Sequence, residues 1–230
     1  MSEASPDTGL VVNLVADFVC PWCLIGSTRL DQAIEELRTS TPLPELRIVH
    51  QPFLLDPAAP KEGRNLRNHL RAKYGADPET MFGRVESAAE ESGIPLDFSK
   101  IETFPSTVKA HTLVQHALDL GSAEVQRAFV KDLYAAYFFE GRDIGSDDVL
   151  LAIAEKHGLP RDQAAALLVD DGELAETHEE ARAAQEQGIT GVPFFVFDGR
   201  FAVSGAQSVP VLVEALRRAL PTKALSLIHI

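Results

Sequence analysis

The two cysteines of the 230-residue chain, its only ones, lie three positions apart in the segment Val19-Cys20-Pro21-Trp22-Cys23. Two cysteines placed at random in such a chain would have this spacing about once in a hundred cases, so the spacing indicates a shared role. Three roles are open at this point: a redox-active pair, half of a metal site, or two buried apolar thiols. In the first two roles the fold must hold both thiols at one site.

The residues on either side of the cysteines predict a βαβ unit. The β-branched, apolar run at 11–16 is typical of a buried strand. Apolar residues then recur at helical spacing, which predicts a helix over 23–38, and the alternating pattern at 46–51 predicts a second strand. The cysteine pair therefore lies between a strand and the first turn of a helix.

The middle of the chain predicts helices only. Pro78 marks the start of one of them, and Gly93, Gly121 and Gly158 mark the ends of others. The predicted helices span 69–74, 78–92, 107–120, 123–139, 146–157, 160–169 and 173–187. The last of them is charged and rich in alanine, which favours a place on the surface.

Strand signals return towards the C-terminal end. The apolar run at 193–197, the turn-forming pair Asp198-Gly199 and the segment 200–203 predict a hairpin. A final helix is predicted over 208–220, because Pro221 ends the helical pattern.

Together these elements predict an α/β fold in which βαβ and ββα halves share one sheet. A large all-helical insertion separates the two halves, which costs little as long as the ends of the insertion lie close together. The predicted domains are a discontinuous one over 10–55 and 188–221 and an insertion over 56–187, followed by a tail at 222–230.

The position of the cysteines favours the redox role. Cys20 would lie at the helix N-terminus, where unpaired backbone N–H groups favour the thiolate, the nucleophilic form of the side chain. Cys23, one turn later, would be shielded by the helix and by Trp22, yet near enough to close a disulfide. Cys20 would open a substrate disulfide, and Cys23 would resolve the mixed disulfide. Pro21 fits the first turn because its missing N–H costs little there.

The other two roles have less support. A closed zinc site needs four ligands, and the cysteines supply two. Among the seven histidines, His111 and His116 alone approach ligand spacing, and five positions apart on a helix they point in different directions. We therefore predict no metal site, and two inert buried thiols remain the other alternative.

Two further residues are candidates for the site. Asp17 directly precedes the active loop and is a candidate proton relay for Cys23, with a strand-end carboxylate or local cap as the equal alternative. For His111, a hydrogen-bonded core histidine is favoured over a functional one.

Charge and hydropathy limit the partners. Lys and Arg number 21 and Asp and Glu 34, a net charge of −13, which opposes binding to nucleic acid or to an anionic membrane. The longest apolar runs fall far short of the roughly 20 residues that a bilayer requires, and the acidic first residues do not resemble a secretory signal. We therefore predict a cytoplasmic protein, in which structural disulfides are disfavoured.

Several segments resemble the DsbA-like branch of the thioredoxin superfamily. More narrowly, the chain is similar to the cytoplasmic bacterial dithiol oxidoreductases related to 2-hydroxychromene-2-carboxylate isomerases. The resemblance covers 10–220 and includes the Cys20-Pro21-Trp22-Cys23 motif and a Gly191-Val192-Pro193 motif far downstream. The segments that carry it are 11–16, 17–26, 51–55, 110–113, 136–141, 191–195 and 204–207.

The resemblance implies a thioredoxin-like fold and assigns residues to a site. Cys20, Cys23 and Pro193 would be catalytic, with Pro193 in the cis form beside the cysteines. The backbone of Val192 would bind an extended substrate segment as an added strand, with Pro21 and Trp22 next to it. An ordinary strand-starting proline and a half-exposed packing tryptophan are the alternatives.

The resemblance also implies an activity. It is that of a thiol-disulfide oxidoreductase or disulfide isomerase acting on a disulfide-containing protein or a small thiol, as a monomer or homodimer. No bound cofactor is implied; glutathione or a thioredoxin-type reductant would donate electrons. Because Trp22 stands where strongly oxidising relatives have histidine, we expect reduction or isomerisation rather than disulfide donation.

Two alternatives remain to this activity. One is a glutathione-dependent isomerase of the 2-hydroxychromene-2-carboxylate type, which usually carries serine at the position of Cys20. The other is a redox-regulated, chaperone-like binding protein. The segment 223–230 matches nothing in the family, and no function is assigned to it.

Overall fold

The N-terminal part of the computed structural model, which describes residues 9–220, is a βαβ unit. It consists of β1 (Leu10–Ala16), α1 (Pro21–Ser40) and β2 (Leu46–Pro52). The two strands pair in parallel, from Leu10 opposite Leu46 to Ala16 opposite Pro52. The prediction is confirmed, except that α1 begins two residues earlier, because Pro21 occupies its first position, where no N–H is needed.

The segment that follows β2 is mainly helical, as predicted, with bounds that differ from the prediction by a few residues. Its elements are β3 (Arg64–Asn65), α2 (Leu66–Tyr74), α3 (Pro78–Glu90), β4 (Thr103–Phe104), α4 (Val108–Leu120), α5 (Ala123–Tyr134), α6 (Asp147–Lys156), α7 (Arg161–Leu167) and α8 (Asp171–Glu186). The antiparallel pair of β3 and β4 was not predicted, because two-residue strands are too short to show an alternating pattern.

The predicted helix at 123–139 changes its winding partway. After α5 the chain continues as a π-helix over Ala135–Phe139, and Gly141, two residues beyond its end, has a φ of 67°. A Cβ at Gly141 would lie 2.3 Å from the carbonyl oxygen of Lys100, so the chain can pass there only as glycine. Phe138 is fully buried at this point.

The C-terminal part returns to the sheet. It consists of β5 (Phe194–Phe197), β6 (Phe201–Ser204) and α9 (Val209–Ala219), and both strands are antiparallel to their neighbours. Asp198 and Gly199 have φ values of 54° and 65°, and the N–H of Arg200 donates to the carbonyl of Phe197 at 3.0 Å, which confirms the predicted hairpin. The strand order is β2-β1-β5-β6.

The insertion is attached to the sheet at β2. Helices α4, α5 and α8 pack against this strand, while α9 packs on α1. The fully buried Gln126 on α5 pairs with the backbone of His50 in β2: it accepts from the His50 N–H at 2.8 Å and donates to the His50 carbonyl at 3.2 Å. The side chain thereby completes hydrogen bonds that an edge strand would otherwise leave open.

Helix α8 lies on the surface as predicted, with most of its residues exposed. One of its faces, with Thr177, Ala181 and Ala184, is buried. One buried apolar cluster runs from the sheet into the insertion. The result is the predicted α/β fold with a helical insertion. The domain boundaries stay a prediction, and residues 221–230, including the predicted tail, lie outside the described part.

Candidate active site

The Cys20-Pro21-Trp22-Cys23 turn lies where β1 ends and α1 begins. Cys20 is the N-cap residue of α1, with φ −88° and ψ 110°, and its carbonyl accepts hydrogen bonds from the N–H groups of Cys23 at 3.0 Å and Leu24 at 3.3 Å. No side chain caps this helix end. Pro21 has no N–H, so this helix start offers the N–H of Trp22 and the positive end of the helix dipole to a negatively charged group at the position of Cys20.

The two cysteines are 3.5 Å apart, and both are free thiols. Cys20 is 5% exposed and Cys23 0%. Burial raises the pKa of the Cys23 thiol well above its usual value, and the neighbouring Cys20 raises it further. The Cys20 thiol donates to the carbonyl of Val192, 3.8 Å away, and both thiols are buried in this arrangement.

The Val192–Pro193 segment is held against α1. Its peptide bond is cis, as the resemblance implied. A Cβ on Gly26, in the second turn of α1, would lie 2.7 Å from Cγ of Pro193 and 3.2 Å from the ring of Phe195. The absence of a side chain at Gly26 therefore allows this close approach. Sequence reasoning assigned no role to Gly26, although a glycine inside a helix, which costs about 1 kcal/mol relative to alanine, is a signal of close packing.

Trp22 is the exposed side of the turn. It is 39% exposed, while Pro21 beside it is half-buried. The fold thus brings six of the residues named from the sequence to one place, namely Cys20, Cys23, Pro21, Trp22, Val192 and Pro193. Their roles remain proposals.

Asp17 lies on the buried side of the turn, at the end of β1. Its Oδ2 accepts a hydrogen bond from the backbone N–H of Leu55 at 2.8 Å, and its Oδ1 has no hydrogen-bond partner. The carboxylate is 1% exposed and acts electrostatically on Cys23. Asp17 thus holds the chain after β2 through one oxygen, and its other oxygen has no hydrogen-bond partner.

The insertion adds residues to this buried side. The His111 ring, on α4, stacks on Phe18 with ring centroids 4.1 Å apart, and its Nε2 is 3.6 Å from Oδ1 of Asp17. His111 is a buried core residue as predicted, and its Nε2 has no hydrogen-bond partner. Tyr134, on α5, also packs on Phe18, and its buried hydroxyl has no hydrogen-bond partner.

Two of these buried groups have strongly displaced pKa values. Burial, and then the charges of Cys23, Cys20 and Asp17, raise the pKa of Tyr134 well above its usual value. Burial lowers the pKa of His50, in β2, to about 3, and the charges of His111 and Lys131 add to the effect. Sequence reasoning missed Tyr134 and His50, because aromatic residues at helical spacing and a lone histidine in a strand are ordinary core patterns.

Within the described range 9–220, no three or more His, Cys, Asp and Glu side chains are arranged to hold a metal ion. None of the helices described is both long enough and apolar enough to span a membrane.

Comparison with known proteins identifies the family of the chain. Residues 11–217 match the DSBA-like thioredoxin domain. A probable DsbA oxidoreductase from Streptomyces coelicolor is similar, with 29% identity and a TM-score of 0.80 over 91% of this chain and 89% of that one.

Two more distant structures share the fold. One is a 2-hydroxychromene-2-carboxylate isomerase, with 18% identity and a TM-score of 0.68 over 90% of this chain and 95% of that one. The other is the cytosolic disulfide reductase DsbM from Pseudomonas aeruginosa, solved with GSH, with 17% identity and a TM-score of 0.64 over 91% and 98%. At such identities the likeness concerns the fold alone. Because the family match extends over most of the 230 residues, the chain belongs to the DSBA-like thioredoxin domain family.

Proposed function

We propose that this protein is a thiol-disulfide oxidoreductase that works through Cys20 and Cys23. The observation that carries the proposal is the pair of free thiols, 3.5 Å apart, at the uncapped N-terminus of α1. A small movement of the two side chains from this arrangement would form a disulfide. Both cysteines are present, which favours dithiol chemistry over the glutathione-dependent isomerase.

The two thiols have different surroundings and so different roles. Cys20 is the N-cap residue at the uncapped start of α1, where the helix dipole favours a thiolate, and it is therefore the attacking residue. Cys23 is fully buried, and its raised pKa keeps it a thiol until the mixed disulfide has formed. Cys23 is therefore the resolving residue.

The reaction transfers two electrons. The Cys20 thiolate attacks one sulfur of the substrate disulfide, a Cys20–substrate bond forms, and the other substrate sulfur leaves as a thiolate that takes a proton from water. Cys23 then loses its proton and attacks Sγ of Cys20, the Cys20–substrate bond breaks, and the second substrate sulfur leaves as a thiolate that also takes a proton from water. The substrate is reduced to two thiols and the cysteine pair is oxidised to a disulfide.

Asp17 is the proposed acceptor of the Cys23 proton. It is the carboxylate that acts on Cys23, and one of its oxygens has no other hydrogen-bond partner. Because the site is buried, water has little access to Cys23, and a side chain must take the proton.

The substrate would bind along the Val192–Pro193 segment. The carbonyl of Val192 already accepts a hydrogen bond from the Cys20 thiol, so a substrate strand that pairs with this backbone would place its disulfide over Cys20. Pro193 lies on Gly26 of α1 and fixes the position of the segment. Pro21 and the exposed ring of Trp22 supply an apolar contact for a disulfide-containing protein or a small thiol.

We further propose that the protein works as a disulfide reductase or isomerase in the cytoplasm, as a monomer or homodimer, with glutathione or a thioredoxin-type reductant as electron donor. The absence of a histidine between the cysteines supports this direction. DsbM, described as a cytosolic disulfide reductase and solved with GSH, is a precedent on the same fold.

Trapping of mixed disulfides tests the proposal. Cys23→Ser should accumulate a covalent complex with a disulfide-containing protein, because the attacking thiol remains and the resolving one is gone. Cys20→Ser, the matched control, should trap little and should lose turnover of a small disulfide reporter. Equal trapping by both variants would contradict the assigned roles, and full turnover by Cys20→Ser would contradict the enzyme in favour of a binding protein.

A further inference from the structure

A histidine from the insertion faces the carboxylate that serves the cysteines. Nε2 of His111 and Oδ1 of Asp17 are 3.6 Å apart, and neither atom has a hydrogen-bond partner. Both side chains are almost fully buried. Two unpartnered, buried, ionisable atoms at this distance stabilise each other best when one carries a positive and the other a negative charge.

The position of the imidazole is fixed. The ring stacks on Phe18 at a centroid distance of 4.1 Å and an interplanar angle of 29°, and Phe18 follows Asp17 directly in the chain. Tyr134 packs on the same phenylalanine with its ring edge, at 6.0 Å. The packing therefore holds Nε2 towards the carboxylate.

The other titratable groups around the pair cannot neutralise Asp17. His50, from β2, stays uncharged with its pKa lowered to about 3, chiefly by burial, and Tyr134 and Tyr137 have raised pKa values for the same reason. Cys20 and Cys23, on α1, add negative charge when ionised. Lys131, on α5, is paired with Asp31. Among the described groups named here, His111 is the one whose side chain can place a positive charge next to Asp17.

A buried carboxylate with one hydrogen-bond donor tends to take up a proton, and a protonated Asp17 could not accept one from Cys23. We propose that His111 is a positioning residue for the resolving step: its imidazolium keeps Asp17 ionised, so that the carboxylate can accept the Cys23 proton. The inference rests on the proposed function. Asp17 then holds this proton until the Cys20–Cys23 disulfide is reduced, when the proton returns to Cys23.

The experiment separates the two steps with 5,5′-dithiobis(2-nitrobenzoate). Attack by Cys20 releases one nitrothiolate and leaves the other bound to Cys20; attack by Cys23 releases the second. Stopped-flow absorbance between pH 5 and 9 therefore gives both rates in one trace. The variants are His111→Gln, Asp17→Asn, the double variant, and the control His116→Gln, on the same helix but paired with Glu173 away from the cysteines.

His111→Gln should slow the second phase at least about tenfold at pH 6, with a difference that narrows towards pH 9, and should leave the first phase unchanged. His116→Gln should match the wild type. The double variant should be no slower than Asp17→Asn, because His111 acts through Asp17. A second phase of His111→Gln that superimposes on the wild type, or a double variant slowed by both factors, would overturn the inference.

A measurement on the wild-type fold covers the case in which His111→Gln does not fold. The ¹⁵N resonances of the His111 ring at pH 7 should report a protonated ring in the wild type and a neutral ring in Asp17→Asn. A neutral ring in the wild type would refute the role of His111. Failure of the proposed function looks different, because the wild type itself would then show no second phase.

Discussion

The first turn of α1 separates two regions with opposite character. The outer side, made by Cys20, Trp22 and the Val192–Pro193 segment, offers backbone groups and one exposed ring. The inner side contains Cys23 and Asp17, together with ionisable groups that β2 and the insertion supply, namely His50, His111 and Tyr134. The outer side is built from the chain's two sheet-forming ends, and the inner side depends on the insertion.

The outer and inner sides of the turn are suited to two different tasks. Substrate contact requires little more than a helix end and a nearby backbone segment, and both are supplied by the sheet region. Control of proton transfer requires ionisable groups in a dry site, where their mutual effects are strong. The insertion supplies His111 and Tyr134 to the inner side, where both are buried. Under the proposed function it therefore acts, through Asp17, on cysteines that it does not itself contain.

The largest expected effect is the difference in reactivity between the two thiols. Limiting iodoacetamide at pH 7.5 should modify Cys20 at least about 100-fold faster than Cys23, because Cys23 is fully buried and its pKa is raised. Peptide mapping of the reduced protein gives the ratio, and the same labelling in urea, where both cysteines react alike, is the control. Comparable labelling of both in the folded protein would remove the distinction between the two sides.

A pH dependence of stability should follow from His50 on the inner side. Its pKa falls from 6.5 to about 3 on folding, so between these values the unfolded chain binds a proton that the native state excludes. His50 therefore does not lower the free energy of unfolding above pH 6.5. As the pH falls towards 3, the free energy of unfolding decreases by up to ~4 kcal/mol on account of this residue. Urea unfolding of His50→Leu at several pH values should show a flatter profile.

The exposed His178 supplies the control for this series. Replacing it with glutamine should leave the pH profile of the free energy of unfolding as in the wild type. A His50→Leu profile as steep as that of the wild type would mean that other groups cause the acid sensitivity.

A substitution at Gly26 tests the packing of the outer side. Gly26→Ala introduces a Cβ 2.7 Å from Pro193, so the substrate segment must move, and we expect a loss of ~1–3 kcal/mol in stability together with altered reactivity of Cys20. Gly83→Ala, in α3, is the control: its Cβ would meet no atom within 4 Å, and it should stabilise by ~0.5–1 kcal/mol. Equal effects of the two changes in denaturation experiments would show that the Pro193 contact is not tight.

The smallest expected effects come from removing two tyrosine hydroxyls. The two changes in the free energy of unfolding should differ in sign. The Tyr134 hydroxyl is buried without a partner, so Tyr134→Phe should leave the free energy of unfolding unchanged or raise it by up to ~1 kcal/mol. The Tyr137 hydroxyl donates to the carbonyl of Thr103 at 2.9 Å, so Tyr137→Phe should lower it by about 1 kcal/mol. Destabilisation by Tyr134→Phe would mean that its hydroxyl has a partner in solution.

The main elements could be predicted because their signals are local. Strand, helix and hairpin patterns repeat within a few residues, and the glycines and prolines that bound them lie next to them, as at Pro21 and Asp198-Gly199. The π-helix at Ala135–Phe139 escaped prediction because its apolar spacing is also that of an ordinary helix. The role of Gly26 could not be predicted because Pro193 and Phe195, which require the glycine, are far along the chain.

The sequence by itself determined the cysteine pair and its place at a helix start, since a spacing of three and the flanking patterns are local properties. Tertiary structure alone decided how exposed Cys20 is, because the carbonyl group that its thiol contacts belongs to Val192, 172 positions away. It also decided that His111, an ordinary core histidine by its pattern, faces Asp17. The physical reason is that burial and charge–charge contact depend on which elements pack together, and no local pattern contains that information.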